Sequence, residues 1–265
     1  MPGIIDYAKG ELKYAVTLRE WVHLPLASRF SSQYNVPTIL ENDINTITLI
    51  ESLLGAGQGY SNIACILIES GIGSGIILNG HLVRGETGNA GEIGYFDVGY
   101  CFNNNNRLHK FDNKQQFLGE LLSEVNLLDI LKRDVQTDRS ISKEEPDQLT
   151  LKDLLILGDN GNENIQKTLD EYANPLAMVC MNLINTLNPG LLIISGFIIE
   201  NSNYLFKKTV EIVKQRMKNV PFRPGEIVVG ELGENAGVQG AIVMALQTIF
   251  EHPLKQTQGL NKRVN

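Results

Sequence analysis

The chain has 265 residues, of which 43% are hydrophobic and 20% are charged. This composition excludes a chain that is mainly disordered and allows one large domain or two modest ones. With 23 Lys and Arg against 30 Asp and Glu, the formal net charge is −7. Because this charge repels a phosphate backbone, we expect no direct binding to nucleic acid.

Neither targeting segments nor cysteine-based sites are predicted. The apolar runs, such as residues 63–68 and 191–195, are far shorter than the roughly 18 residues of a membrane span. The N-terminal residues lack the basic start and long apolar stretch of a secretory signal, so we expect a cytoplasmic protein without membrane contact. Cys65, Cys101 and Cys180 are widely separated, which predicts neither a disulfide scaffold nor a metal site built from cysteines.

Strand-like and helix-like segments alternate along the chain, which predicts an α/β fold. In chain order the predicted elements are a strand at 36–40, a helix at 45–54, strands at 62–68, 76–78 and 81–83, a helix at 116–133, a helix at 165–187 interrupted at 174–175, a strand at 191–195, a helix at 204–218, a strand at 227–229 and a helix at 236–250. Asn79 and Gly80 favour a type I′ turn, so the strands beside them should form a hairpin. Residues 134–148 are expected to be an exposed connection and residues 252–265 a flexible tail.

A glycine-rich turn, Gly71-Ile72-Gly73-Ser74-Gly75, is predicted between two strands. Because no helix follows it and no Lys-Ser/Thr is present, it is a poor match to a dinucleotide-binding fingerprint or a P-loop. Two interpretations remain open. The backbone N–H groups of the turn, with the Ser70 hydroxyl, can bind a phosphate, or the hairpin simply needs glycine for its geometry.

Two loops offer carboxylates. Asp43, in Glu41-Asn42-Asp43, follows a predicted strand and precedes a helix, where a carboxylate can project into a cleft. In isolation, a helix N-cap is the more common use of an Asp at such a position. Glu92 lies in a second glycine-rich loop, where the ordinary alternative is a solvated acid.

In their order and spacing, five segments together resemble the motifs of the ROK family of sugar kinases and sugar-responsive repressors. They are Met1 to Asp6, Glu41 to Asn45, Ser70 to Gly80, Arg84 to Gly94 and Asn235 to Ala241. The resemblance extends over nearly the whole chain. It implies the actin-like ATPase (ribonuclease H-like) fold, in which two lobes enclose a cleft. We expect residues 1–60 and a helix at about 240–251 to form a small lobe truncated at its N-terminus, and residues 61–239 to form a nearly complete large lobe.

The resemblance also implies roles for individual residues. Asp43 corresponds to the general base that takes a proton from a sugar hydroxyl as this hydroxyl attacks the γ-phosphate of ATP. Asn42, Asp43, Glu92 and Tyr95 correspond to sugar-binding positions. The residues that correspond to a phosphate-binding loop are Ser70, Gly71, Gly73 and Gly75. A kinase would use ATP and Mg²⁺ as cofactors.

The sequence departs from the family pattern at several of these positions. The family's first phosphate loop, an Asp-Gly-Gly-Thr type of turn, is absent from this chain. Tyr95 stands where the family has a His that contacts sugar and binds zinc, Phe197 stands at the second glycine of the adenosine motif, and Ala15-Val16-Thr17-Leu18 replaces a loop that offers an Asn. The zinc pattern is reduced to Cys101, with His109 as one further candidate ligand, so we expect no zinc.

Three hypotheses follow. The departures favour the sugar-sensing and dimerisation domain of a ROK-type transcriptional regulator, with a degenerate kinase site, a sugar effector and DNA contact only through an upstream domain absent from this chain. Asp43, Glu92 and the glycine-rich turn keep an ATP-dependent hexose kinase as the alternative. A ligand-free dimerisation module is the third hypothesis. Under all three hypotheses we expect a second copy of the chain as a partner, because the family resemblance implies a homodimer.

Overall fold

The computed structural model describes residues 1–15, 18, 20–99, 117–137, 145–222 and 224–251. Its first part is an antiparallel sheet in the order β1-β2-β3, formed by β1 (Ile4–Asp6), β2 (Glu11–Tyr14) and β3 (Val22–Leu24), and followed by α1 (Leu26–Tyr34). A small core of Ile5, Leu12, Ala15 and Leu26 lies under this sheet. The strand predicted at 36–40 is wrong, since these residues have no regular secondary structure. Pro37 lies within the segment and cannot donate a ladder hydrogen bond.

The second sheet has five strands in the order β6-β5-β4-β7-β8. They are β4 (Ile63–Ile68), β5 (Ile72–Leu78), β6 (His81–Leu82), β7 (Leu191–Ser195) and β8 (Glu226–Val229). The pairs β4/β7 and β7/β8 are parallel, whereas β5 is antiparallel to its neighbours β4 and β6. Asn79 and Gly80 both have positive φ angles, 52° and 79°, which confirms the predicted hairpin.

Helices cover both faces of this second sheet. Alternate residues of β4 point in opposite directions, so Ala64, Ile66 and Ile68 belong to the main core, while Ile63, Cys65 and Leu67 pack in a second core with Ile44 of α2 (Asp43–Leu54). The helices that contribute to the main core are α3 (Leu118–Leu121), α4 (Glu124–Thr137), α5 (Leu151–Asp159), α6 (Glu163–Leu187), α7 (Phe197–Glu200) and α8 (Asn203–Arg216). This layered arrangement confirms the predicted α/β class.

Two helix predictions need correction. The single helix predicted at 116–133 is two helices, because Ser123 Oγ accepts a hydrogen bond from the Asn126 backbone N–H and begins α4. The hydroxyl of Tyr172 donates a hydrogen bond to the Leu122 carbonyl at 2.6 Å, which gives this carbonyl a partner at the break between the two helices. The break predicted at 174–175 does not occur, and α6 continues through Pro175. Burial of residues on both sides of Pro175 outweighs the backbone hydrogen bond that proline removes.

The last helix, α9 (Ala236–Glu251), packs closely against α2. A Cβ atom added to Gly240 would lie 2.0 Å from the Thr46 carbonyl oxygen, so the close approach of the two helices depends on glycine. Helix α9 comes after the last strand of the second sheet in the chain, but it packs on α2, which begins beside the first sheet. The lobe boundaries proposed from the sequence stay a prediction, and the tail at 252–265 lies outside the described residues.

A partly buried ion pair joins the two sheets at the start of α2. Glu41 is only 8% exposed, and its carboxylate accepts hydrogen bonds from Arg84 Nε at 2.7 Å, from Asn45 Nδ2 at 2.9 Å and from the Asn42 backbone N–H at 3.0 Å. The Arg84 guanidinium also lies 4.4 Å from the ring centroid of Tyr7, in the β1–β2 connection. One carboxylate therefore fixes α2, the loop that follows β6 and the first sheet relative to each other.

The glycine-rich segment gives a first prediction. A Cβ on Gly75 would lie 1.9 Å from Thr48 Oγ1 and 2.9 Å from the Ile44 carbonyl oxygen, whereas a Cβ on Gly71 would meet nothing within 4 Å. We expect Gly75→Ala to lower the free energy of unfolding by about 1–3 kcal/mol, because it pushes α2 away from β5. Urea denaturation measures the effect. Gly71→Ala is the matched control, and an equal loss in both variants would contradict a packing role specific to Gly75.

Candidate functional site

A cleft of about 640 Å³ opens between the first sheet and the second. Five short segments line it, each at the end of an element or in a loop. They are residues 2–4 with Tyr14 of the first sheet, residues 42–45 at the start of α2, residues 67–74 of the β4–β5 hairpin, residues 88–95 of the loop after β6, and residues 117–126 around α3. Asn42, Asp43, Glu92, Tyr95, Ser70, Gly71 and Gly73 therefore line one cleft, whereas Gly75 does not.

Asp43 enters the cleft as the first residue of α2. Asn42, not Asp43, is the N-cap: its Oδ1 accepts from the Ile44 backbone N–H at 3.1 Å, and its Nδ2 donates to the Gly3 carbonyl at 2.9 Å. Asp43 Oδ1 also accepts from the Ile44 backbone N–H, at 2.8 Å. Asn42 thus uses both ends of its amide within the protein and holds residue 3 beside the carboxylate of Asp43.

Glu92 is held by a loop that packs directly on the edge of β5. The Ser74 backbone N–H donates to the Gly91 carbonyl at 2.8 Å. Gly91 has a φ angle of 90°, and a Cβ there would lie 1.8 Å from the Ser74 carbonyl oxygen, so only glycine allows this approach. The half-buried Glu92 carboxyl has a raised pKa, first because burial removes water and then because Asp43 lies nearby.

The glycine-rich segment is mostly strand, not the turn that the sequence predicts. Strand β5 begins at Ile72, and Gly73 pairs with Leu67 and Gly75 with Cys65 in the antiparallel ladder. Because the Ser74 N–H points outward to Gly91, those of Gly73 and Gly75 face β4. Only residues 69–71 form the turn, in which the Glu69 backbone N–H donates to the Gly71 carbonyl at 2.9 Å.

An acidic cluster, which we define as Asp43, Glu69 and Glu92, lies around this turn and the start of α2. The pKa of Glu69 is raised by loss of surrounding water and then by the charges of Asp43 and Glu200. The pKa of Glu124 is raised by burial and then by Glu69. Among the described residues that line the cleft there is no Lys, Arg or His. Neighbouring negative charges therefore add to the effect of burial on the pKa values of Glu69, Glu92 and Glu124, and the described lining holds no basic side chain to offset them.

An aromatic cluster of Tyr14, Tyr95 and Phe117 lines another part of the cleft. The rings of Tyr95 and Phe117 meet edge to face, with centroids 5.5 Å apart. Burial raises the pKa of the Tyr95 hydroxyl, and Glu92 and Tyr14 raise it further. The Tyr that replaces the expected His therefore adds an apolar ring surface to the cleft, of a kind that packs well on a sugar ring.

The loop after β7, where the adenosine motif was predicted, is also occupied by protein groups. Gly196 has a φ angle of 113° and packs against the Ile68 carbonyl oxygen. Its backbone N–H donates to Glu200 Oε1 at 3.2 Å. Phe197 begins α7 and packs, partly buried, against the main core. The Glu200 carboxylate therefore already accepts the hydrogen bond that this N–H could otherwise donate to a phosphate.

Sequence reasoning missed several residues of the cleft. Glu69 is the charged residue next to the glycine-rich segment in the sequence, and this position was an available signal that its carboxylate lies in the cleft. Glu120, Ser123 and Asn126 fall within the helix predicted at 116–133, and nothing in their spacing distinguishes a cleft position from a core position. They lie around the break between α3 and α4, where Ser123 caps α4 and the hydroxyl of distant Tyr172 donates to the Leu122 carbonyl.

Among the described residues, no group of three or more His, Cys, Asp and Glu side chains could hold a metal ion. Cys65 and Cys180 are buried, and burial raises the pKa of each thiol to about 12. Cys101 and His109, the remaining candidates for zinc, lie outside the described residues, as do Val16 and Thr17. None of the described helices is both long and apolar enough to cross a membrane.

Comparison with known proteins identifies relatives of two kinds. A xylose repressor from Caldicellulosiruptor bescii is 28% identical over 260 residues, which cover 96% of this chain and 63% of that protein. A glucokinase from Halalkalibacterium halodurans is 28% identical over 247 residues, which cover 90% of this chain and 72% of that enzyme. The chain thus spans less than two thirds of the repressor's length.

The fold and the family follow from two further matches. The structure of a ROK family glucokinase from Streptomyces griseus, in complex with glucose and AMPPNP, matches with a TM-score of 0.79 at 22% identity, over 92% of this chain and 79% of that chain. The fold is therefore that of the actin-like ATPases. The sequence model of the ROK family matches residues 1–248. The chain belongs to the ROK family.

Proposed function

We propose that this chain is the sugar-sensing and dimerisation part of a ROK-type transcriptional regulator, in which the cleft binds a sugar and transfers no phosphate. The observation that carries the proposal is the charge of the cleft. Its described lining holds the acidic cluster and no basic side chain, so it suits an uncharged or cationic ligand and repels a triphosphate.

Three features of the predicted nucleotide site support this proposal. The N–H groups of Gly73 and Gly75 face β4, so they are not directed at a ligand. The N–H of Gly196 is bonded to Glu200. Glu69 lies in the hairpin turn, directly before the residues that the family resemblance assigns to phosphate binding. Phosphoryl transfer depends on neutralising the charge of the transferred group. The described lining supplies no basic side chain for this, and the described residues include no group of three or more His, Cys, Asp or Glu that could hold a metal ion.

Sugar binding, in contrast, fits the lining well. Hydroxyl groups can donate to the carboxylates of Asp43 and Glu92, and the apolar face of a sugar ring can pack on Tyr95 or Phe117. A cleft of about 640 Å³ with such a lining also argues against a module without a ligand. The regulator would contact DNA through a segment outside this chain, which accords with the net charge of −7. The proposal includes no zinc and a cytoplasmic location.

An ATP-dependent sugar kinase is the second candidate. One observation favours it: Asp43, which the family resemblance makes the general base, lies in the cleft at the start of α2, with Glu92 near enough for their charges to interact. In that case Asp43 would accept the proton of the attacking sugar hydroxyl, and ATP with Mg²⁺ would have to enter despite Glu69.

Binding without turnover distinguishes the two candidates. We expect calorimetry with a panel of pentoses and hexoses to find a sugar that binds, and Asp43→Asn to weaken its binding by roughly tenfold, because a charge-assisted hydrogen bond is lost. We expect no sugar phosphate after incubation with ATP and Mg²⁺. Asp147→Asn, a change at an exposed position outside the cleft lining, is the matched control. ATP-dependent phosphorylation that Asp43→Asn abolishes would establish the kinase instead.

The acidic cluster also predicts a dependence of stability on pH. The raised pKa of Glu69 means that the folded chain binds its proton more tightly than the unfolded chain. Stability therefore falls as pH rises from the ordinary Glu pKa to the raised one, and the loss is complete above both. We expect Glu69→Gln to raise the melting temperature at pH 7 by about 1–2 °C, since solvent screens this position, and to have no effect near pH ~4.

Differential scanning calorimetry at several pH values measures this effect. Glu211→Gln on α8 is the matched control, because Glu211 is exposed and its contact with Lys208 is a surface ion pair at 3.9 Å. A stabilisation by Glu69→Gln that is equal at low and neutral pH would show that repulsion among the acids is not its cause.

Dimerisation is the remaining part of the proposal. One face of α9 carries exposed apolar side chains spaced three and four residues apart, namely Val238, Ile242, Leu246, Ile249 and Phe250. We expect light scattering to give twice the 29.4 kDa mass of the chain. A monomer at micromolar concentration would remove dimerisation from the proposal and leave sugar sensing untouched.

A further inference from the structure

The cleft is rich in hydrogen-bond acceptors beyond its carboxylates. Three polar side chains in its lining, Asn45, Ser74 and Asn126, are 2%, 1% and 5% exposed. Each has an oxygen without a hydrogen-bond partner among the described residues: Oδ1 of the two asparagines and Oγ of the serine. A buried polar atom without a partner costs free energy, and a ligand donor that reached such an atom would lower this cost.

The orientation of the two asparagines is fixed by their other contacts. Asn126 Nδ2 donates to the Leu121 carbonyl at 2.9 Å, and Asn45 Nδ2 donates to Glu41 Oε1 at 2.9 Å. In both side chains the unpaired end is therefore the carbonyl oxygen, which can only accept. Together with the acidic cluster, the described lining calls for a ligand that donates.

Charge narrows the choice among donors. A neutral sugar supplies hydroxyl donors but leaves the repulsion within the acidic cluster unchanged. A protonated amine supplies three donors and one positive charge, and the rings of Tyr95 and Phe117 provide surfaces that attract a cation. A phosphorylated sugar would add negative charge to a lining that already has an excess.

From this combination of an acidic cluster, buried unpaired acceptors and a cation-attracting aromatic cluster, we propose that the cleft selects an amino sugar with a free, protonated amino group over the neutral sugar of the same stereochemistry. The proposal rests on the sugar-sensing function proposed above and names its effector class. The raised pKa values of Glu69, Glu92 and Glu124 accord with it, because a bound cation would relieve the repulsion that helps to raise them.

Matched ligand pairs test the selectivity. Calorimetry of the full chain at low salt is run with D-glucosamine and D-glucose, D-galactosamine and D-galactose, and D-mannosamine and D-mannose, with glucose 6-phosphate as the anionic probe. We expect one amino sugar to bind at least tenfold more tightly than its neutral partner, which is about 1.4 kcal/mol. We expect glucose 6-phosphate not to bind. The preference should shrink in 0.5 M NaCl, because salt screens the partly exposed charges.

Charge-removing variants locate the source of the preference. We expect Glu69→Gln to lower the ratio of amino-sugar to neutral-sugar affinity by roughly fivefold, and Glu211→Gln, which removes the same charge from α8, to leave that ratio unchanged. An unchanged ratio in Glu69→Gln, together with an unchanged ratio in high salt, would overturn the electrostatic origin.

The outcomes separate this inference from the function on which it rests. Equal affinities within every pair, or binding of glucose 6-phosphate, would overturn the selectivity but leave sugar sensing intact. If no sugar of either kind binds, both proposals fail. Tighter binding of one amino sugar, weakened by salt and by Glu69→Gln, supports both.

Discussion

The partly buried ion pair of Glu41 and Arg84 is the contact on which the cleft depends. Glu41 accepts hydrogen bonds from Arg84, Asn45 and the backbone of Asn42, so its charge is compensated although it lies almost fully out of water. Removing one member of such a pair leaves an uncompensated charge, which costs far more than the intact pair contributes. Asp43 follows Glu41 by two residues, and Glu92 lies in the loop that Arg84 begins. The same interaction therefore links the two segments that carry the Asp43 and Glu92 carboxylates.

A few side chains in the lining decide the chemistry of the cleft. The ROK relatives of this chain include a repressor and a glucokinase, so the fold by itself does not select a function. A phosphate needs donors and positive charge, whereas the described lining presents acceptors and negative charge at Glu69, Glu92 and Asp43. The proposals of a sensor and of an amino-sugar ligand both follow from this mismatch.

Local patterns in the sequence were sufficient where one short-range interaction determines the structure. Asn79-Gly80 has the backbone freedom that its hairpin needs, and the run from Leu191 to Ser195 forms a strand because every residue in it is buried. Local patterns failed where distant contacts compete with them. Pro175 is a strong local signal for a break, yet burial on both sides keeps α6 continuous. Conversely, Ser123 caps α4 locally, but the hydrogen bond from distant Tyr172 to the Leu122 carbonyl at the same break is not visible in the local sequence.

The candidate site shows the same division. The sequence by itself determined the α/β class, the family and the presence of Asp43 and Glu92 in loops beside glycines, because these depend on short motifs and on their order. Only the tertiary structure decided that Gly75 serves packing against α2, that the Asn42 amide binds the Gly3 carbonyl, and that Glu69, Asn45, Ser74 and Asn126 line one cleft. These residues lie on segments far apart in the chain, so only the fold brings their charges and unpaired hydrogen-bond acceptors into one site.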